Sequence, residues 1–478
     1  MPASGWLNDP CAPAYNPATG TYYVGFQWNP KGSSWGNISW GAATSRDLIH
    51  WIVSPVPSIE PSISNDPAGV FTGCMLPDHV TAACQDSLMM FYTSAQRGPI
   101  HFTRPYDWGS EALHAATSCD GGLTWSRVAR TPVLPGPPKD LKVTGWRDPY
   151  VFKWPAYDKA LGRTQNSGLY GIVAGGLRGN TPTIFLYSID GDDVLEWTFL
   201  TTLLDTGLNS TMHSTSVDFG VNFEVANVMT LQDENNESHE VVIVGVEGCR
   251  LGTTNKVNSK HTTRAKRAGR AQKWLRGSLH HDKENDEQPK LKIDFEGSLD
   301  WGMFYAANSF YDPVSEAQIV HGWILEDDLN ASLQERQGWS GCISFARSLS
   351  MKTYKNVVDV PTDLPGFGRK LESDGSLTLT TLACTPVEGL NTLRKVEIDM
   401  CSQGERQSSR GRRLSGSSME WSGGISAFEL EMCYEFSELA QGGCRVDLFH
   451  SKGTCRVNFV VIVVLTCRRP RHSNLNCI

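Results

Sequence analysis

The chain has 478 residues, 40% hydrophobic and 20% charged, with a formal net charge of −8. Such a composition fits a folded globular protein, and the acidic balance gives no electrostatic case for nucleic acid as a partner. The longest apolar run, 457–466, falls short of the roughly 20 residues that a bilayer-crossing helix needs, so no membrane partner is expected either.

The chain opens on Gly5-Trp6-Leu7-Asn8-Asp9-Pro10. Pro10 steers Asp9 into extended backbone. Asp9 offers a nucleophile or an acceptor, Asn8 an amide donor and Trp6 a flat apolar face, a grouping that suits presentation of an acid to a sugar. Read alone, Asn-Asp-Pro is also ordinary turn chemistry. The stretch Met1-Pro2-Ala3-Ser4 has neither a basic nor an apolar region, so no signal peptide is expected in this sequence.

Short runs rich in aromatic and β-branched residues follow: Tyr22 to Phe26, Ser87 to Tyr92, Gly168 to Val173 and Val241 to Val244. Each is bounded by turn residues and predicts a strand. No long amphipathic helix intervenes. Between them a Ser-x-Asp turn closed by a Trp recurs at Ser45…Trp51, Ser118…Trp125 and Ser188…Trp197, its starts 73 and 70 residues apart. A hairpin turn recurring at fixed spacing is the pattern of a β-propeller, one sheet per blade. At that spacing the chain holds about five blades up to residue 347.

A second acid, Asp148, lies in Gly145-Trp146-Arg147-Asp148-Pro149, where Arg147 can hold it ionised. A third, Glu224, lies in Asn222-Phe223-Glu224-Val225-Ala226. Strict alternation would put Phe223 and Val225 on one face and Glu224 with Asn222 and Ala226 on the other. An unpaired Glu on a buried sheet is costly, which argues for a role. Three acids on separate strands suit glycoside cleavage, where one carboxylate attacks and another donates a proton.

Residues 250–290 hold a basic run, Arg250 to Arg276, then an acidic patch from Asp282 to Glu287; together they read as a solvated surface loop. Beyond residue 347 the texture changes. Ser376 to Leu382 and Ile425 to Tyr434 alternate, predicting a second β unit over 348–478, an incomplete sandwich with an irregular tail. Thirteen cysteines are scattered without a CxxC pair, so no zinc ribbon is expected. With no clustered histidines and no phosphate loop, neither metal nor cofactor is predicted. Sequons begin at Asn37, Asn209, Asn236 and Asn330.

In the order and context of its motifs the chain resembles glycoside hydrolase family thirty-two, the invertases, inulinases and fructosyltransferases. The resemblance rests on Trp6-Leu7-Asn8-Asp9-Pro10, Gln27-Trp28-Asn29-Pro30, Trp35-Gly36-Asn37, Trp40-Gly41, Ser45 to Trp51, Phe71-Thr72-Gly73, Arg147-Asp148-Pro149, Tyr305 to Phe310, Gly322-Trp323 and Gln337 to Gly341. It implies an all-β fold, a five-bladed propeller followed by a β-sandwich. It implies Asp9 as nucleophile, Asp148 as stabiliser of the transition state and Glu224 as acid/base. Asn8, Gln27, Trp35, Asn37, Phe71 and Arg147 would bind the fructose unit, and an extracellular location is implied, with the cytoplasm as the alternative. Family members often carry Cys after the last acid; here Val225 follows, and Glu247 and then Glu296 compete for the role. Asp300-Trp301-Gly302 stands where many fungal relatives have His after the Asp.

The expected activity is a retaining β-fructofuranosidase acting on sucrose or related fructosides, with fructosyl transfer as the other outcome. Two alternatives stay open: a propeller that binds fructans without turnover, and a related five-bladed glycosidase of arabinose or xylose polymers.

Overall fold

The computed structural model describes residues 2–76, 87–163, 168–250, 269–281, 288–300, 302–326, 329–358, 360 and 364–393. Within them the chain is nearly all strand. The two α-helices are short, α1 (Pro155–Ala160) and α2 (Ala331–Gln337).

Five antiparallel sheets follow one another along the chain. The first contains β1 (Gly5–Asn16), β2 (Thr21–Asn29), β3 (Ser39–Ser45) and β4 (Trp51–Val53). The second contains β5 (Gly69–Met75), β6 (Leu88–Ala95), β7 (Glu111–Ser118) and β8 (Ser126–Arg127), and the third β9 (Val143–Lys153), β10 (Leu169–Leu177), β11 (Thr181–Ile189) and β12 (Trp197–Thr202). The fourth contains β13 (Asn222–Gln232), β14 (Ser238–Glu247), β15 (Arg270–His280) and β16 (Lys290–Ser298). The fifth begins with β17 (Phe304–Asp312) and β18 (Ala317–Ile324). Two short pieces come next, β19 (Trp339–Ser340) and β20 (Cys342–Ile343), and β21 (Arg347–Val357), β22 (Gly368–Leu371) and β23 (Leu377–Pro386) complete the sheet.

The first strand of each sheet, β1, β5, β9, β13 and β17, packs against the next, and β17 returns to β1. This is a five-bladed β-propeller, as the repeat predicts. The four runs named from the sequence lie in β2, β6, β10 and β14, the second strand of each of the first four blades. Aromatic and β-branched side chains suit that place, because a central strand is packed on both faces. The three Ser-x-Asp turns all join the third strand of a blade to the fourth. In the first, Asp47 Oδ1 accepts from the backbone N–H of Ile49 and His50 at 2.9 and 2.8 Å. In the second, Asp120 Oδ1 accepts from Thr124 N at 2.9 Å, and Trp125 turns inward to donate from Nε1 to Tyr23 Oη at 3.2 Å.

Apolar side chains fill the seams between blades. Trp40, Val70, Met90 and Tyr92 join the first blade to the second, and Met229, Ile243, Trp274, Phe304 and Leu349 the fourth to the fifth. Fully burying one such side chain is worth about 1.5–3 kcal/mol, so the seams carry the fold. The ring closes where β19 pairs in parallel with β1, and where Tyr22 Oη donates to Asp312 of β17 at 3.2 Å. Asn308 Nδ2 reaches the carbonyls of both Pro10 and Gly73, at 3.1 Å each.

Two expectations need correction. The boundary at 347 falls within the fifth blade: β21, β22 and β23 continue that sheet, and Ser376 to Leu382, expected in a sandwich, enters β23. Alternation marks a half-buried strand but not the sheet it joins. A second compact unit begins at Gly389, and residues 394–478, with Ile425 to Tyr434 and the tail, lie outside the described residues. Nor is the whole stretch 250–290 a surface loop, because Arg270 to His280 forms β15. Its cations are paired, Lys273 with Glu296 at 2.7 Å and Arg276 with Asp294, which is what lets charge sit on a packed strand. Residues 251–268 and the acidic patch at 282–287 lie outside the described residues.

Candidate active site

Every inner strand breaks register at the same level, with two residues facing one on its neighbour. The paired residues are Asn8-Asp9 on β1, Phe71-Thr72 on β5, Asp148-Pro149 on β9, Val225-Ala226 on β13 and Ala306-Ala307 on β17. A bulge bends the strand and re-aims side chains. Asp148, Val225 and Ala306 take left-handed backbone, with φ of 64°, 44° and 51°. Asp9 and Asp148 therefore sit inside bulges and Glu224 directly before one. Strict alternation fails here for the same reason: Phe223 packs with Ala226 in one apolar cluster and Val225 in another.

Asp9 is held by donors from three neighbours. Thr72 Oγ1 donates to its Oδ2 at 2.6 Å, Gln27 Nε2 approaches the same oxygen at 3.3 Å, and Asn8 Nδ2 donates to Oδ1 at 3.2 Å. Trp6 does not present a free face. It is buried against Trp323, and its Nε1 donates to Asn8 Oδ1 at 3.2 Å, orienting that amide. Burial, then the charge of Glu224, push the Asp9 carboxyl up to about 6.

Arg147 is the hub of the opposite wall. Its Nη1 donates to Glu111 Oε1 at 2.9 Å, its Nε and Nη2 to Glu224 Oε1 at 3.0 and 2.9 Å, and its Nη2 also to Glu247 Oε2 at 2.9 Å. Tyr305 Oη donates to Glu224 Oε2 at 2.8 Å, and the Arg270 guanidinium lies 5.5 Å from the Tyr305 ring centroid. Burial works against the charge of Glu224, but Arg147 and Arg270, with the bonds from Tyr305 and Arg147, outweigh it and hold the carboxyl below its usual range. Glu247 goes the other way: burial, then Glu224, push it up to about 7. Burial also raises Glu111 and, against the pull of Arg147, Asp148. Asp148 Oδ2 accepts from Val225 N at 3.1 Å, and its own N–H donates to Thr93 Oγ1 at 2.7 Å. The bulges of β9 and β13 are thus tied together through this carboxylate.

Among these acids Asp9 and Glu224 are part-exposed, while Glu111, Asp148 and Glu247 are buried. Asn8, Gln27 and Arg147 contact the acids directly. Phe71 lines the adjoining apolar cluster, and the exposed Trp35 meets its edge at 6.0 Å. Asn37 is exposed at φ 46°, and among the described residues its side chain makes no hydrogen bond to the acid set. Glu296 is buried in a pair with Lys273. Trp301 lies outside the described residues, while Asp300 accepts from Arg347 Nη1 at 2.6 Å. The sequence reading missed Glu111, Thr93 and Arg270 as parts of the site. Glu111 opens an apolar strand with no local mark of function; the one available signal was an acid at a position that the strand buries.

Residues 1–361 match the model of the Glycosyl hydrolases family 32 N-terminal domain. An acid beta-fructofuranosidase of Capsicum annuum is 28% identical over 362 residues, 73% of this chain and 47% of the relative. An extracellular exo-inulinase of Aspergillus niger is 38% identical over 164 residues, 32% of this chain and 30% of the relative. The crystal structure of a fructosyltransferase from A. japonicus is similar with a TM-score of 0.69 and 28% identity, covering 81% of this chain and 66% of that one. The chain spans about half the length of the Capsicum annuum relative. With the match running from the first blade into the fifth, over three quarters of its length, the chain belongs to glycosyl hydrolases family 32.

Proposed function

We propose that this chain is a β-fructofuranosidase that cleaves sucrose or related fructosides with retention, through a fructosyl ester on Asp9. The observation that carries the reading is the pair Asp9 and Glu224. They are the part-exposed carboxylates of the inner ring, they come from different blades, and each acts on the other's charge. A substrate approaching the inner ring would meet these two before the buried acids.

In the first step an Asp9 oxygen attacks the anomeric carbon of the fructosyl unit. The bond to the leaving sugar breaks, and the leaving oxygen takes the proton from Glu224. In the second, Glu224 takes a proton from water, whose oxygen bonds to the anomeric carbon as the ester to Asp9 breaks. Asp148, fixed by Val225 N, holds sugar hydroxyls on the same ring. Asn8, Gln27, Arg147, Phe71, Trp35 and Asn37 line the fructosyl subsite.

In the free protein the proton prefers Asp9 to Glu224, the reverse of the order that the first step needs. Sugar hydroxyls that accept from Arg147 where it stands would weaken its hold on the Glu224 carboxylate and shift the proton towards Glu224, because Arg147 is the leading cause holding Glu224 ionised. Water and a second sugar compete for the ester, and the likeness to a fructosyltransferase keeps transfer as the second outcome.

The test is reducing sugar released from sucrose by the purified chain and by Asp9→Asn. The reading requires activity in the first and a loss of at least about 10⁴-fold in the second. Full activity in Asp9→Asn would sink it. Trisaccharides formed at high sucrose would establish transfer.

A further inference from the structure

At the far end of β13 the chain turns through Asp233-Glu234-Asn235-Asn236-Glu237 into β14. Glu224 and Asp233 are nine positions apart along the strand, roughly 30 Å at the usual rise, so this turn is remote from the acids. One ligand atom each from Asp233, Glu237 and His239 lies within 4.8 Å of the other two.

His239 is the unusual member. It stands opposite Leu231 in the hairpin, on the face that packs towards the fifth blade, and is 7% exposed. Neither ring nitrogen has a hydrogen-bond partner. Nε2 stands 3.8 Å from Asp233 Oδ2, too far for a hydrogen bond. It is close to the about 3.4 Å between two ligands of a tetrahedral ion with bonds of about 2.05 Å. Leaving a buried polar group unpaired is unfavourable, and a cation between His239 and the carboxylates would give Nε2 a partner.

The carboxylate beside it is already in place. Asp233 Oδ1 accepts from Asn235 N and Glu237 N at 2.8 and 3.0 Å, and Oδ2 from Thr353 Oγ1 at 2.9 Å and Asn235 Nδ2 at 3.2 Å. The last is the weakest and the one an ion would displace. Thr353 belongs to β21, so the group spans the fourth and fifth blades. Glu237 is exposed and free to swing in.

We propose that Asp233, Glu237 and His239 bind a single divalent cation of the Zn²⁺ class and clip the tip of the β13–β14 hairpin beside the fifth blade. One nitrogen and two carboxylate ligands with a water suit Zn²⁺ and disfavour Ca²⁺, which prefers an all-oxygen shell.

The test uses the full chain stripped with a chelator and dialysed, then titrated with Zn²⁺ by calorimetry, with bound zinc measured by elemental analysis. Glu237→Gln and His239→Gln are run beside it. Glu237→Gln changes only an exposed side chain, so it keeps the test valid if His239→Gln fails to fold. The expected result is one more zinc per chain in the wild type than in Glu237→Gln, and a wild-type Tm raised by roughly 3 °C or more at saturating zinc. Equal zinc content in wild type and Glu237→Gln, or no rise in Tm, would overturn the proposal.

Discussion

Arg147 sets the charge of the candidate site, because one guanidinium serves Glu111, Glu224 and Glu247. The two substitutions that separate the competing acids are Glu224→Gln and Glu247→Gln. Glu224→Gln should lower kcat by about 10²–10⁴-fold, the usual worth of a general acid. Glu247→Gln, which removes a buried partner of Arg147 rather than the proposed acid, should stay within about tenfold of wild type; an equal loss in both would move the acid/base role. Thr72 gives Asp9 its shortest hydrogen bond, a contact that lowers the carboxyl's pKa. Thr72→Val should move the acid limb of the kcat/KM profile up from about 6, by about one pH unit. A limb that does not move would show that Asp9 is not the group titrating there.

The working unit at the scale of elements is the bulged inner strand. Five bulges at one level turn a ring of ordinary strands into a ring of re-aimed side chains. Gly145 makes room for that on β9, since a Cβ there would lie 2.5 Å from Arg147 Nη1 and 3.0 Å from Asn222 Oδ1. The guanidinium cannot retreat, because three carboxylates hold it. Gly145→Ala should cost about 1–3 kcal/mol in urea denaturation and lower activity with it. Gly191→Ala, with nothing within 4 Å of the added methyl, is the control. Equal stability in the two variants would show that Arg147 is less confined than its bonds imply.

For the molecule as a whole, the raised acids make stability depend on pH. Asp9 and Glu247 titrate at about 6 and 7 in the folded chain and near 4 when unfolded. Between those limits these two groups bind more protons in the folded chain than in the unfolded one, a contribution to stability that is lost as pH rises. Burial lowers His114 and His321 to about 4, so these two act in the opposite sense below the ordinary histidine range. The acids are therefore read by difference: from pH 5 to pH 7.5 the Tm of the wild type should change by roughly 2–5 °C more in the downward direction than that of Glu247→Gln. An equal change in the two proteins would contradict the raised pKa of Glu247.

The sequence by itself determined the blades and three of the acids. A blade is a local object: four short strands joined by tight turns, with Ser45, Ser118 and Ser188 marking the same corner each time. Asp9 and Asp148 were legible because each sits beside a proline in a distinctive stretch, and the later motifs came in family order. Tertiary structure alone decided how the acids interact. Glu111 and Arg147 are 36 positions apart and Arg147 and Glu247 are 100 apart, and no local pattern records that one cation binds both. It also decided the faces around Glu224, because a bulge shifts the two-residue period by one and nothing in Val225-Ala226 announces it. Contacts closed by the ring arise only once all five blades have packed.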